Sequence, residues 1–188
     1  MTAIAARYQK RADAFERTVA AVSPDQWGNP SPCTEWDARD VVGHVIDMHG
    51  VMLRPLNRGL SPAPELRDDP LAAFRAARAD IEAVLFQPEL ARTVDQSPVG
   101  RLTVEQHIDQ VISADLVIHR WDLARATGQD DTLDPDDIER VGRLWDDVFA
   151  AVGEARLRSQ RVLGPVVDVP ADAGPQDRLL GRLGRHPH

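Results

Sequence analysis

Apolar residues return every three or four positions in five separate stretches of this chain, and no other feature limits its fold as strongly. That step puts them on one face of an α-helix and breaks the alternation a strand needs. In the first stretch Ile4, Tyr8, Ala12, Phe15, Val19 and Val22 keep the step until Ser23-Pro24 stops it. The second starts at Thr34, with Asp37 as an acidic capping partner, and carries Val41, Val45, Met48, Met52 and Leu56. Asp69 caps the third, Pro70 fits its first position, and Leu71, Phe74, Ala77, Ile81 and Val84 form its stripe. Thr103 and Gln106 make a capping box for the fourth, which runs unbroken to a stop at Gly128. The fifth begins at Asp134-Pro135 and buries Ile138, Val141, Trp145, Val148 and Val152.

The Pro-bearing connector "NRGLSPAPELRDD" separates the second and third helices. Pro98 and Gly100 keep any strand before the fourth helix short. Beyond the fifth helix an extended piece near residues 166–169 precedes a short helix around 176–183, a tail expected to wrap the bundle. The expectation is an all-α bundle in a single domain over 1–188, with the bundle core at about 2–127 and an additional helix and tail at 134–188.

Composition narrows the function. Hydrophobic residues make up 43% and charged residues 28%, the balance of a soluble globular protein. The net charge of −8 argues against binding a nucleic-acid backbone, and Arg178, Arg182 and Arg185 near the end do not outweigh it. No stretch approaches the roughly 18 apolar residues of a membrane span. The N-terminus lacks the pattern of a signal peptide. Cys33 is the only cysteine, so no intrachain disulfide forms. A cytoplasmic location is expected, and a homodimer is compatible with the sequence.

On the fourth helix the stripe Val104, Ile108, Val111, Ile112 continues into Asp115, His119 and Asp122. Acids and an imidazole on a buried line need partners, because an unpaired buried carboxylate costs several kcal/mol. A metal ion satisfies both groups at once, and Asp115 and His119, four apart, can share one. His44, flanking the stripe of the second helix, is the best third ligand. His49 sits at the edge of that stripe, and His107 is two turns before Asp115. The plainer alternatives are a satisfied buried His–Asp contact or a solvated pair on a helix face. Asp122, one turn beyond His119, is placed to receive its second ring N–H or to act as a base; the competing role is a surface ion pair with Arg125. Trp36 and Trp121 are candidates to wall the pocket mouth, or else core residues. Cys33, N-terminal to a helix, reads as a thiol of lowered pKa suited to exchange, or as a small buried loop residue.

Three segments carry a resemblance. "PSPCTEWDARDVVGHVIDM" resembles the PC-x-x-W-x-x-x-D-x-x-x-H signature of mycothiol-dependent maleylpyruvate isomerase N-terminal-like proteins, of the DinB-like metalloprotein superfamily. "DLVIHRWDLARATG" is similar to their second signature, and "VPADAGPQDRLLGRLGRHP" to the ending of one actinobacterial branch. The resemblance implies a four-helix bundle with a long crossover between its second and third helices. It implies a divalent-metal site matching His44, Asp115 and His119, with zinc first and nickel, iron or manganese as alternatives. It also implies an enzyme using a small thiol such as mycothiol as cosubstrate, with an electrophilic substrate, for S-transfer or related hydrolysis. The alternative is a non-catalytic metal- or ligand-binding stress protein. The isomerase-type motif has Glu where this chain has Asp115, and the isomerases carry a sizeable C-terminal domain that this chain lacks.

Overall fold

The computed structural model describes residues 2–97, 100–160 and 162–187. In chain order the main elements are α1 (Ala3–Ala20), α2 (Ala38–Leu53), α3 (Pro70–Leu85), the short α4 (Pro88–Ala91), strands β1 (Val94–Ser97) and β2 (Gly100–Thr103), α5 (Val104–Gln110), α6 (Ile112–Thr127), α7 (Pro135–Val152), α8 (Glu154–Ser159) and α9 (Pro175–Arg182). The strands form one antiparallel hairpin with Val94 opposite Thr103; Pro98 lies outside the described residues. The architecture is the all-α one expected.

Helices α1, α2, α3 and α6 enclose a core that includes Tyr8, Phe15, Val45, Phe74, Ile81 and Leu116. Side-chain pairs give their directions. Arg7 of α1 holds Asp109 just before α6, and Gln129 just after α6 donates to the Thr18 carbonyl, so α1 and α6 run together. Arg75 reaches Glu16 and Arg78 reaches Asp13, so α3 runs against α1. Asn29, ahead of α2, donates to the Ala126 carbonyl at the end of α6, while His44 faces Asp115. Helix α2 therefore opposes α6 and points the same way as α3. Two successive helices that point alike require a connector along the bundle, and residues 54–69 supply it. Leu66 of that connector lies so close to α2 that a Cβ on Gly43 would meet it at 2.9 Å.

A second apolar cluster covers the outside of α6. Ala114, Val117, Ile118 and Trp121 pack there with Leu133, Val141, Leu163, Leu179, Leu180 and Leu183. Helix α6 is thus enclosed on both sides. Ile112, Leu116 and Leu123 face the bundle, and the residues just named face the layer made by α7 and the tail. At 100° per residue His119 falls beside Ile112 at the edge of the bundle face, and Asp122 falls between the two faces.

Several local expectations hold. Asp69 caps α3 ahead of Pro70, Thr103 and Gln106 form their capping box, and Gly128 ends α6 with φ 67°. Others need correction. Helix α2 starts at Ala38 rather than Thr34, with Asp37 as the N-cap and Asp40 as its box partner. Glu35 takes φ 69°, and the Ser31 and Trp36 backbones hydrogen-bond within the loop, which holds 31–36 out of the helix. The fourth predicted helix is two, kinked at Val111 (φ −97°, ψ −71°). The arms answer to different neighbours: α5 offers Asp109 to Arg7 and Arg140, while α6 sits between the two cores. On α7 only Val141 is buried, and Ile138 and Trp145 pack half-buried on the second cluster.

The tail seats tightly. The Val167 amide donates to the Gly181 carbonyl, and Gly184 (φ 85°) lies so near Gly164 that a Cβ would meet its Cα at 2.8 Å. Gly184→Ala is therefore expected to lower stability by about 1–2 kcal/mol from backbone strain, and further from the collision. A thermal melt that matches the parent's would contradict this.

Candidate metal centre

Two helices bring three donors together. Helix α2 carries His44, and α6 carries Asp115 and His119 one turn apart. The rings of His44 and His119 have centroids 4.7 Å apart, inclined at 67°. His44 Nε2 stands 3.6 Å from Asp115 Oδ2. One donor atom from each of the three residues lies within 4.8 Å of the other two. A gap of 3.6 Å is too long for a hydrogen bond. Two ligands at 2.0–2.2 Å from a tetrahedral ion stand about 3.4 Å apart, so two imidazoles and a carboxylate at this spacing fit a divalent cation. His44 and Asp115 are 29% and 25% exposed, so the cluster opens to solvent on their side.

Trp36 lies beside this pair with its ring tilted, 4.9 Å from that of His44 and 6.0 Å from that of His119. Trp121 does not join it. Two positions on from His119 is about 200° around a helix, and Trp121 is buried in the second cluster with Arg125 over its ring. The sequence suggested a wall at both tryptophans; the structure brings only Trp36 to the mouth.

On the inner side of His119 lies a second constellation. His119 Nδ1 is 2.9 Å from Asp122 Oδ2. The same oxygen accepts from the Cys33 thiol at 3.2 Å and from Arg185 Nη2 at 3.1 Å, while Arg185 Nε approaches Asp122 Oδ1 at 3.3 Å. Asp122 has no exposed surface. Burial alone would raise its pKa, but the Arg185 charge and the His119 hydrogen bond outweigh it and hold the carboxyl well below the usual range. An ionised carboxylate only accepts, so Nδ1 of His119 is the donor in this contact. Asp122 thus orients His119. It has no exposed surface from which to meet a substrate directly. Nor does it pair with Arg125, which bridges to Asp131.

Cys33 corrects another expectation. Burial, with Asp122 beside it, pushes its thiol up to about 12. It is protonated at neutral pH and donates to Asp122, the opposite of an activated nucleophile. Cys33, His119 and Asp122 also offer donor atoms within 4.8 Å of one another, but the Arg185 guanidinium already fills that position as the cation.

His49 is no edge residue. It is fully buried, with Tyr8 Oη 3.0 Å from Nε2 and the Val45 carbonyl 2.6 Å from Nδ1. Burial lowers its pKa to about 4, so it is a neutral core imidazole. His107 faces Asp95 of the hairpin, away from His44.

The fold and cluster define a class: an all-α bundle of DinB-like architecture with a His–Asp–His donor set between two of its helices. The chain belongs to the mycothiol maleylpyruvate isomerase N-terminal domain family, whose profile matches residues 8–124. Two Mycobacterium tuberculosis proteins are similar along the chain: the uncharacterized protein MT0763 of strain CDC 1551 / Oshkosh and the uncharacterized protein Rv0738 of strain H37Rv. Each is 31% identical over 179 residues, spanning 95% of this chain and 95% of the relative. No solved structure gives a significant match. Among the described residues no helix is long and apolar enough to cross a membrane.

Arg185 is the site residue that sequence reasoning missed. Its segment matched the branch ending, but its charge was read only as part of a basic tail. The usable signal was an acid on a buried line, Asp122, whose nearest cation in sequence, Arg125, belongs to the wetter side of the helix.

Proposed function

We propose that this protein is a divalent-metal-dependent enzyme working with a low-molecular-weight thiol of the mycothiol class. Its reaction is thiol transfer to an electrophilic small molecule or the related hydrolysis of a thiol adduct. The observation that carries this reading is the convergence of His44, Asp115 and His119 at ion-sharing distances with one side open to solvent. A bound divalent ion supplies the Lewis acidity that ionises a thiol or water at neutral pH. Zinc suits two imidazoles and a carboxylate, and nickel, iron and manganese accept the same donors. His44 and His119 offer ring nitrogens, and Asp115 offers a carboxylate oxygen. Asp122 fixes the His119 ring through Nδ1 and leaves Nε2 for the ion. Trp36 walls the mouth and gives a substrate an apolar face.

Elemental analysis of protein purified without a histidine tag is expected to find about one divalent ion per chain. His44→Ala is expected to lose that ion while the helical content stays unchanged. Mycothiol consumption with model electrophiles is expected to require the ion. Absence of stoichiometric metal in the parent protein would overturn the reading. An ion retained without turnover would favour a non-catalytic metal-binding role.

A further inference from the structure

We propose that Arg185, on the C-terminal tail, is a positioning residue of the centre: it clamps Asp122, and through Asp122 it sets the ring of His119. The inference rests on the metal reading above, but it has a part that can be measured without any ion.

The geometry is that of a planar fork. Arg185 uses Nε and Nη2 on the two oxygens of Asp122, Nη2 also on Cys33 Sγ at 3.4 Å, and Nη1 on the Leu183 carbonyl at 2.9 Å. Its side chain is 12% exposed. A lysine has one ammonium and cannot reproduce these angles. Asp122 Oδ2 is then shared by three donors, from α6, from the loop before α2 and from the tail. Rotation of the carboxylate would break all three contacts, so the acceptor facing His119 is held in place. Metal-binding histidines depend on such partners for tautomer and ring orientation.

The surroundings hold the clamp still. The Arg185 amide donates to the Leu180 carbonyl, Leu180 and Leu183 are buried in the second cluster, and Gly184 makes its close approach to Gly164 immediately before the arginine. The tail is therefore seated by its own packing, and Arg185 extends from that seat to α6. The feature that would oppose this assignment is a second cation-binding role for Cys33, His119 and Asp122. With a guanidinium at 3.1 Å from Asp122 and 3.4 Å from the thiol, that role is already taken.

The test uses the full chain as parent, R185M and R185K, with thermal melts establishing that each is folded. In metal-free protein, 15N NMR of the imidazoles reads the His119 tautomer. The parent is expected to show a single Nδ1–H form. R185M is expected to show a mixture of tautomers, and R185K an intermediate state. Zinc affinity, by competition with a chromophoric chelator, is expected to weaken about 10–100-fold in R185M, with partial recovery in R185K. A folded R185M with parental tautomer and zinc affinity would overturn the proposal, even if its melting temperature fell. If R185M does not fold, R185K decides alone: parental NMR and affinity overturn the proposal, and a mixed tautomer supports it. A tautomer shift in R185M with no zinc binding by the parent would support the clamp while removing the metal reading.

Discussion

Asp122→Ala is expected to destabilise the protein by about 3–5 kcal/mol, the usual cost of removing one partner from a buried ion pair. Three groups lose their acceptor at once, the Cys33 thiol among them. The Arg185 guanidinium keeps its burial but loses its counter-charge, and His119 loses the acceptor of its Nδ1–H. Asp122→Ala combined with R185M is expected to cost less than the sum of the single changes, because the second substitution removes the stranded charge. Urea denaturation checks this through the midpoint at constant slope. A loss below about 1 kcal/mol in Asp122→Ala would show that the charges are solvated and the clamp unimportant. The acid dependence follows in sign. The folded-state pKa of Asp122 is depressed, so its stabilisation is complete above the ordinary aspartate value and disappears only as pH falls through the lower folded value.

His49 acts in a different and milder window. Its pKa falls from 6.5 to about 4 on folding, mainly through burial, while the Val45 carbonyl and the charges of Asp115 and Asp80 pull weakly the other way. A base with a lowered folded pKa binds its proton more readily in the unfolded chain. Between those values unfolding takes up one proton, so stability decreases as pH drops, by about 1.4 kcal/mol per unit. Across the window the loss reaches about 3 kcal/mol, and it is spent before Asp122 begins to titrate. His49→Gln, which keeps an acceptor for the Tyr8 hydroxyl, is expected to lower stability at neutral pH yet flatten the slope between about pH 6.5 and 4. Equal slopes in parent and variant would show that His49 is protonated in the folded state.

What the sequence disclosed follows the range of the interactions. Asp69 before Pro70 and the Thr103–Gln106 box are decided within one turn, and the structure has both. The pairing of His44 with Asp115 and His119 was legible because each lies on or beside an apolar stripe, and stripes meet in a bundle. The start of α2 was misread because Glu35 with φ 69° and the loop hydrogen bonds leave no local signature. His49 looked marginal until Tyr8, 41 positions away, supplied its partner. Trp121 was assigned to a pocket because nothing in its own helix reveals that Leu179, Leu180 and Leu183 cover it. Asp122 was seen as a candidate, but its meaning depended on Arg185, 63 positions later.

Helix α6 is covered on two opposite faces, one by the bundle and the other by a layer that Leu179, Leu180 and Leu183 complete. During synthesis the bundle segments leave the ribosome first, with the outer side of α6 bare and Asp122 lacking its cation. The nascent bundle is then expected to be sticky and unable to hold His119 in one orientation until the segment from Leu179 to Arg185 has emerged and packed.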